Sequence, residues 1–417
     1  MIRIAAALLA LAALGCGGTE PPGLVIAAST VGAEAAVTRR QIARFEARHP
    51  GLRVELRVTP DAAGQRHQMY VQWLNARATT PDVLQIDVVW TSEFAAAGWI
   101  APLDDPDDAD LLPAAREAAR WRGRTYAVPW FVDVGLLYWR TDLVDAPPRS
   151  QADLAAAARK ARAGRATRYG LVWTGARYEG LVTVFLEYLN AYGGGILDDE
   201  GRVIVDEPPA IRALAAMCEA VGPDGIVPTA ALNWQEEPVR FAFQNGEAAF
   251  MRNWPYAWSL LQAPSGSAVA GKVGVTTFPP ASGGQAAAAL GGAQLAVSRF
   301  SEHGAQARAL IAFLTEPAQL LERARDASQL PARRSVYDLP AFAGALPLPA
   351  EALRSAIDAA VARPATPVYG ELSETLQVHV HRALSGQQSP AAALAEAARE
   401  LRALLARTGL DRPGGPS

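Results

Sequence analysis

Apolar residues along this chain fall into short runs and helical stripes that take turns. Leu24 to Ala28 is a continuous apolar run bounded by Ser29, Thr30 and Gly32, the pattern of a strand buried on both faces. Ala35 to His49 follows with Ile42 and Phe45 among arginines, which predicts an amphipathic helix halted by Pro50-Gly51. Leu52 to Val58 alternates strictly and predicts a half-exposed strand near a sheet edge. A helix through Met69 to Leu74 leads to Val83 to Val89, a second buried run. Strands alternating with helices predict an α/β fold with mainly parallel sheets.

The pattern then changes in a way that suits a second lobe. Tyr126 to Trp139 is a long extended stretch interrupted by Pro129 and Gly135, as expected of a segment crossing between lobes. Further strands are predicted at Glu247 to Met251, Lys272 to Thr277 and Gln294 to Val297. The glycine pairs after Ser282 and Leu290 read as loop and hinge material. From Glu302 onward the chain is nearly all helical, at Ala305 to Leu314, Ala318 to Arg325, Glu351 to Val361, Leu372 to Leu384 and Ala391 to Leu405. The last of these carries Leu394, Ala398, Leu401 and Leu405 on one face. Arg412 to Ser417 reads as a disordered tail, and no internal repeat is present.

The first residues follow a different logic. Arg3 precedes an unbroken apolar run from Ile4 to Leu14, shorter than the roughly 20 residues a membrane helix needs, so residues 1–15 read as a signal peptide. Ala13-Leu14-Gly15-Cys16 resembles a lipobox, with Ala13 where leucine is commoner; Cys16 would then carry lipid as the mature N-terminus. The stretch to Gly23 reads as a flexible tether. Cys218 is the one other cysteine, so no disulfide is expected, and its helical surroundings suggest a small buried hydrophobe. The formal net charge of −3 over 417 residues offers no basic field, which removes nucleic acid as a partner. Lys160 and Lys272 are the only lysines, a coding bias in favour of arginine.

Candidate chemistry is sparse. There is no phosphate-cradling glycine loop, no nucleophile elbow and no His or Cys cluster with metal-ligand spacing, so neither a metal nor a cofactor is expected. His379 and His381 lie two apart on a predicted helix and read as surface residues. Aromatics stand beside polar groups near predicted turns: Trp130-Phe131-Val132-Asp133, Asn253-Trp254-Pro255-Tyr256, and Asp87 with Trp90. In open α/β sheets ligands bind at the carboxyl ends of strands, where these groups would sit. The combination suits a saccharide, whose C–H faces stack on rings and whose hydroxyls bond carboxylates and guanidinium groups. Asp87 interrupts an apolar strand; a buried unpaired carboxylate is costly, so it needs a partner or a cleft.

The run Pro81 to Leu103, the crossover Val128 to Arg140 and the segment Phe250-Met-Arg-Asn-Trp-Pro-Tyr256 resemble the family 1 (maltose-type) extracellular solute-binding proteins of ABC importers, in their trehalose/maltose-binding branch. The resemblance implies two α/β lobes joined by hinge segments and closing on a sugar. Its lobes would be 24–130 with 294–335 and 131–293 with 336–410. Carried over by position, it implies sugar contacts from Glu34, from Arg66 on the opposite wall, and from Asp87, the hinge carboxylate Asp133, Phe131, Gly292 and Arg363. Trp254 and Tyr256 would form the stacking platform. Ala293 stands where this branch often has an aromatic, and Phe131 where a tyrosine would add a hydroxyl. A monomeric, lipid-anchored protein outside the cytoplasm, in a periplasm or at the cell surface, is implied, with ABC permease subunits as its partner. Two other readings compete: the same fold serving a non-sugar solute, and a glycosidase using two of the carboxylates.

Overall fold

A computed structural model of the chain describes residues 23–103, 109–342, 344 and 348–410. The expected signal peptide, Cys16 and the tail from residue 411 lie outside the described residues, as does the tether apart from Gly23.

The apolar run forms the strand Gly23–Ala28, buried from Leu24 onward. It pairs in parallel with Arg53–Val58 on one side and Val83–Asp87 on the other. The helices Glu34–Arg48 and Ala63–Asn75 make the crossovers. Arg53–Val58 is the edge strand, and its outward residues include the arginines that keep such an edge soluble. The larger sheet has seven strands in the order Leu330–Pro331, Val128–Val134, Ala288–Val297, Val83–Asp87, Gly23–Ala28 and Arg53–Val58, with Ala360–Val361 added beside Ala288–Val297. The smaller sheet has four, in the order Val273–Thr276, Leu136–Arg140, Ala248–Asn253 and Tyr169–Val172.

Both sheets are mixed, which corrects the expectation of mainly parallel ones. Ala288–Val297 runs antiparallel to both Val83–Asp87 and Val128–Val134. In the smaller sheet only Tyr169–Val172 and Ala248–Asn253 run in parallel. Strands joined by a crossover helix are held parallel, whereas strands that enter from the other lobe carry no such constraint.

The chain changes sheet at Gly135, between Val128–Val134 and Leu136–Arg140, rather than at the expected 130/131 boundary. A Cβ at Gly135 would lie 1.8 Å from Glu187 Oε1, so no other residue fits without moving that carboxylate. Likewise Ala288–Val297 belongs to the larger sheet over its whole length, so Gly291-Gly292 lies inside a strand and is not a loop. Gly292 takes φ +125°, and the register slips just beyond it between Ala293 and Gln294.

The C-terminal helices are Gly304–Leu314, Pro317–Ala327, Ala350–Asp358, Tyr369–Leu384 and Pro390–Thr408. Ser389 caps the last one, accepting from Ala392 N at 3.3 Å, and Gly409 ends it in the left-handed region. Its leucine face packs on Tyr369–Leu384 and covers His379, which is only 2% exposed and lies 3.3 Å from Glu400 Oε1. The surface reading of His379 is therefore overturned; His381 is half-buried, with Nε2 3.1 Å from Leu232 O. Cys218, on Pro208–Ala220, is half-buried, and burial pushes its thiol up to about 11. Among the described residues no helix is long and apolar enough to cross a membrane.

Candidate sugar-binding cleft

The expected site residues do converge. Glu34, Arg66, Asp87, Phe131, Asp133, Trp254, Tyr256, Gly292 and Arg363 all line one cavity of about 120 Å³, reached by elements of both sheets. Asp87 ends its strand, Asp133 stands two residues from the sheet change, and Trp254 follows Ala248–Asn253 directly. These are strand-end positions, where side chains leave the packed core and reach open space.

Several of the polar groups in this wall are buried without a partner. Glu34 begins Glu34–Arg48; its Oε1 accepts from Gln329 Nε2 at 2.7 Å, while Oε2 has no hydrogen bond. Burial raises the Glu34 pKa, and the facing Arg323 and Arg66 offset this only in part. Asp133 Oδ1 also has no hydrogen bond, and burial, followed by the charges of Glu34 and Asp87, pushes its carboxyl up to about 8. Buried polar atoms are nearly always paired in a finished structure, so unpaired ones facing a cavity mark where a ligand belongs.

Arg66 stands on Ala63–Asn75, a helix of the larger sheet like the one carrying Glu34, which corrects its placement on the opposite wall. Its Nη1 donates to Pro60 O at 2.9 Å and its guanidinium lies 5.6 Å from the Trp90 ring, while Nε lacks a partner. Arg363 is more fully engaged than a free sugar contact would be. It donates to Glu179 Oε1 at 2.6 Å and to Asp87 Oδ1 at 2.8 Å, leaving Nε without a hydrogen bond. Burial works against its charge, but Asp87, Tyr369 and Glu179 outweigh it and raise its pKa.

The aromatic wall rests on a charged foundation. The Trp254 ring lies 4.0 Å from the Arg252 guanidinium, which Glu187 holds at 2.6 Å with both side chains 1% exposed. A cation beneath the ring occupies one π-face and leaves the other to stack on a ligand. Tyr256 donates its hydroxyl to Glu237 Oε1 at 2.8 Å, so its ring, not its hydroxyl, is what it offers. Trp258 belongs to the apolar core beside the smaller sheet and does not line the cavity. Phe131 and Ala293 are register partners on adjacent strands, and that wall is smooth and apolar.

Some residues in and behind the wall stand outside the set expected from the sequence. Tyr178 and Glu179 follow the strand Tyr169–Val172 by a short turn, an aromatic beside an acid at a strand end, and the cue that drew attention to Asp87 could have found them. Arg252 interrupts the buried strand Ala248–Asn253 and carries the same signal. Gln85, a polar residue two before Asp87 in the same apolar strand, carries that cue too, whereas Glu236 and Gln329 in the lining and Arg323 behind it are placed by contacts distant in sequence and carry no local cue. Glu236 is half-buried facing Tyr178 and Trp254, and desolvation of its carboxyl raises its pKa. Among the described residues no group of three or more His, Cys, Asp or Glu side chains is placed to hold a metal ion.

Two lobes closing over a cavity of strand-end carboxylates, guanidinium groups and an indole define a periplasmic-type binding protein. The chain belongs to the bacterial extracellular solute-binding proteins, whose family model matches residues 27–320. It is 35% identical over 370 residues to a probable ABC transporter-binding protein of Deinococcus radiodurans, covering 84% of this chain and 86% of that one. Among solved structures it is similar to maltose-bound MalE3 of T. maritima, at 39% identity and a TM-score of 0.87, covering 92% of this chain and all of that one. The GacH receptor of Streptomyces glaucescens, solved unliganded and with acarbose, matches at 28% identity and a TM-score of 0.82, covering 92% and 98%.

Proposed function

We propose that this chain is an extracytoplasmic, lipid-anchored binding protein that delivers a maltose- or trehalose-like sugar to an ABC permease and does not act as an enzyme. The observation that carries this reading is the cavity wall itself. Unpartnered buried oxygens and nitrogens on Glu34, Asp133, Arg66 and Arg363 surround an indole whose back face is occupied by Arg252. A polyhydroxylated ring supplies donors, acceptors and a C–H face in one ligand. The likeness to maltose-bound MalE3 supports the same class.

In this reading the first lobe holds 24–134 with 288–335 and the second 135–287 with 336–410, divided near the sheet change, with the two-residue strand Ala360–Val361 reaching back to pair with Ala288–Val297. Hinge closure at Gly135 and beside Gly292 brings the lobes together on the sugar.

Calorimetric titration with maltose, trehalose and sucrose, beside glycerophosphodiesters and polyamines, tests the ligand class. Saturable binding of a sugar without its hydrolysis is expected; binding confined to the other solutes would sink the reading. Trp254→Ala is expected to weaken sugar binding by about 1–3 kcal/mol, one to two decades in Kd. An unchanged Kd would remove the indole from the site. For the anchor, Cys16→Ser is expected to release the protein from the membrane fraction with its sugar affinity intact, and retention at the membrane would count against lipidation.

A further inference from the structure

Neither member of the buried ion pair beneath Trp254, Glu187 or Arg252, lines the cavity. We propose that Glu187 is a positioning residue for the stacking surface: through Arg252 it fixes the Trp254 ring relative to the larger sheet, whose elements carry the carboxylates facing the sugar. The inference rests on the sugar reading above and deepens it.

Connectivity is the first argument. Arg252 Nε and Nη2 donate to the two oxygens of Glu187 at 2.8 and 2.6 Å, a two-pronged contact that sets the plane of the guanidinium. Its central carbon lies 4.0 Å from the centre of the Trp254 ring. Glu187 Oε1 also accepts from Ala289 N at 2.9 Å, and Ala289 O accepts from Gly135 N at 3.0 Å. Gly135 is where the chain leaves the larger sheet, and Ala288–Val297 is where it returns from the smaller one. The carboxylate is therefore seated against both crossings. Two residues beyond Ala289, Gly291 approaches the indole itself, where a Cβ would lie 3.1 Å from the ring. One strand thus meets the carboxylate at one position and the ring at the next on the same face.

The second argument is what the ion pair does not do. The Trp254 main chain is held without it, since Trp254 N donates to Asn253 Oδ1 at 2.8 Å and Trp254 O accepts from Tyr138 at 2.7 Å. The guanidinium bears on the ring instead. Among the described residues Arg252 Nη1 has no hydrogen bond, so the arginine is not placed to satisfy itself. A buried ion pair is often no more stabilising than well-packed apolar side chains, because desolvation consumes its attraction. Fold stability alone therefore does not account for it, whereas a rigid base for a stacking ring does. Glu34, Asp87 and Asp133 stand on elements of the larger sheet, while Trp254 follows a strand of the smaller one. Glu187 sets the spacing between the two.

The test is a double-mutant cycle, read by calorimetric titration of the intact protein with maltose and with trehalose. Glu187→Gln with Arg252→Met removes both charges together, so neither is left uncompensated, and the glutamine oxygen can still accept from Ala289. With Trp254 present this replacement is expected to weaken binding of the tighter sugar about fivefold. In a Trp254→Ala background it is expected to change affinity less than about twofold, because no ring is left to position. Arg252→Lys keeps the charge pair but not the planar stack, and is expected to lose about threefold, again only with Trp254 present. This second variant decides the matter if the paired replacement fails to fold. Equal losses with and without Trp254 would mean that the ion pair serves the fold at large, and no loss in either variant would mean that the ring is placed without it. Either result overturns the proposal and leaves the sugar reading standing. Wild-type protein that binds neither these sugars nor any other would overturn both.

Discussion

At the scale of single residues, the site is governed by how burial and neighbouring charge set each side chain's ionisation. Asp133 is faced by Glu34 from the first helix, Asp87 from the end of Val83–Asp87, Arg252 from the smaller sheet and Arg323 from Pro317–Ala327. Burial leads the balance and holds the carboxyl protonated up to about 8, against an ordinary value of 3.8. In the unfolded chain the same group loses its proton near the ordinary value. Between these two values the folded state binds the extra proton, so this group's contribution to stability falls as pH rises through the window. Glu34 is raised and acts in the same direction, whereas Asp142 and Glu237, lowered, act in the opposite one. The whole-protein profile mixes these effects, so the informative quantity is a difference. Asp133→Asn is expected to gain stability relative to the wild type as pH rises from 5 to 8, read from urea unfolding without sugar. A gain independent of pH would mean that Asp133 is already ionised. Asp87 was legible in sequence because a charge inside an apolar strand is conspicuous. Gln329 and Arg323 were not, because their roles come from packing against Glu34 across some 290 residues of chain.

At the scale of elements, the buried runs and the helical stripes were legible because burial imposes a period on the sequence. Strand direction was not, because a period of two is the same in parallel and antiparallel strands. The glycine pair in Ala288–Val297 shows the limit of reading punctuation. Gly291-Gly292 looks like a loop, yet both residues sit in a strand where backbone and indole come too close for side chains. The two glycines make separable predictions. A Cβ on Gly292 would lie 2.4 Å from Phe131 O on the neighbouring strand, and its φ of +125° is strained for any other residue. Gly292→Ala is expected to destabilise by about 2–4 kcal/mol in urea unfolding. A Cβ on Gly291 would instead meet the Trp254 ring at 3.1 Å, a side chain able to shift. Gly291→Ala is expected to cost less stability and more sugar affinity, because it tilts the stacking surface. Equal stability losses in the two variants would contradict this division.

At the scale of the whole molecule, Arg363 ties a strand end of the larger sheet to the helix Glu179–Ala191, which also meets that sheet where Glu187 Oε1 accepts from Ala289 N at 2.9 Å. It donates to Asp87, at the end of a larger-sheet strand, and to Glu179, which opens the helix Glu179–Ala191 packed on Pro208–Ala220 and Tyr369–Leu384. Tyr369 and Ser373 also donate to Glu179, so the carboxylate is fixed and the arginine has a rigid anchor on that side. If the lobes close on the sugar as proposed, this bridge forms as they approach and breaks as they part, and it would favour the closed arrangement independently of any contact with sugar. Removing one partner of a buried ion pair leaves the others uncompensated, a loss of about 3–5 kcal/mol. Arg363→Met is therefore expected to weaken sugar binding, but a lost ligand contact would do the same, and the two causes differ in shape. If the arginine holds the lobes together, small-angle scattering at saturating sugar shows the variant more open than the wild type at saturation. If it only touches sugar, the saturated variant contracts fully and the bridge has no part in closure.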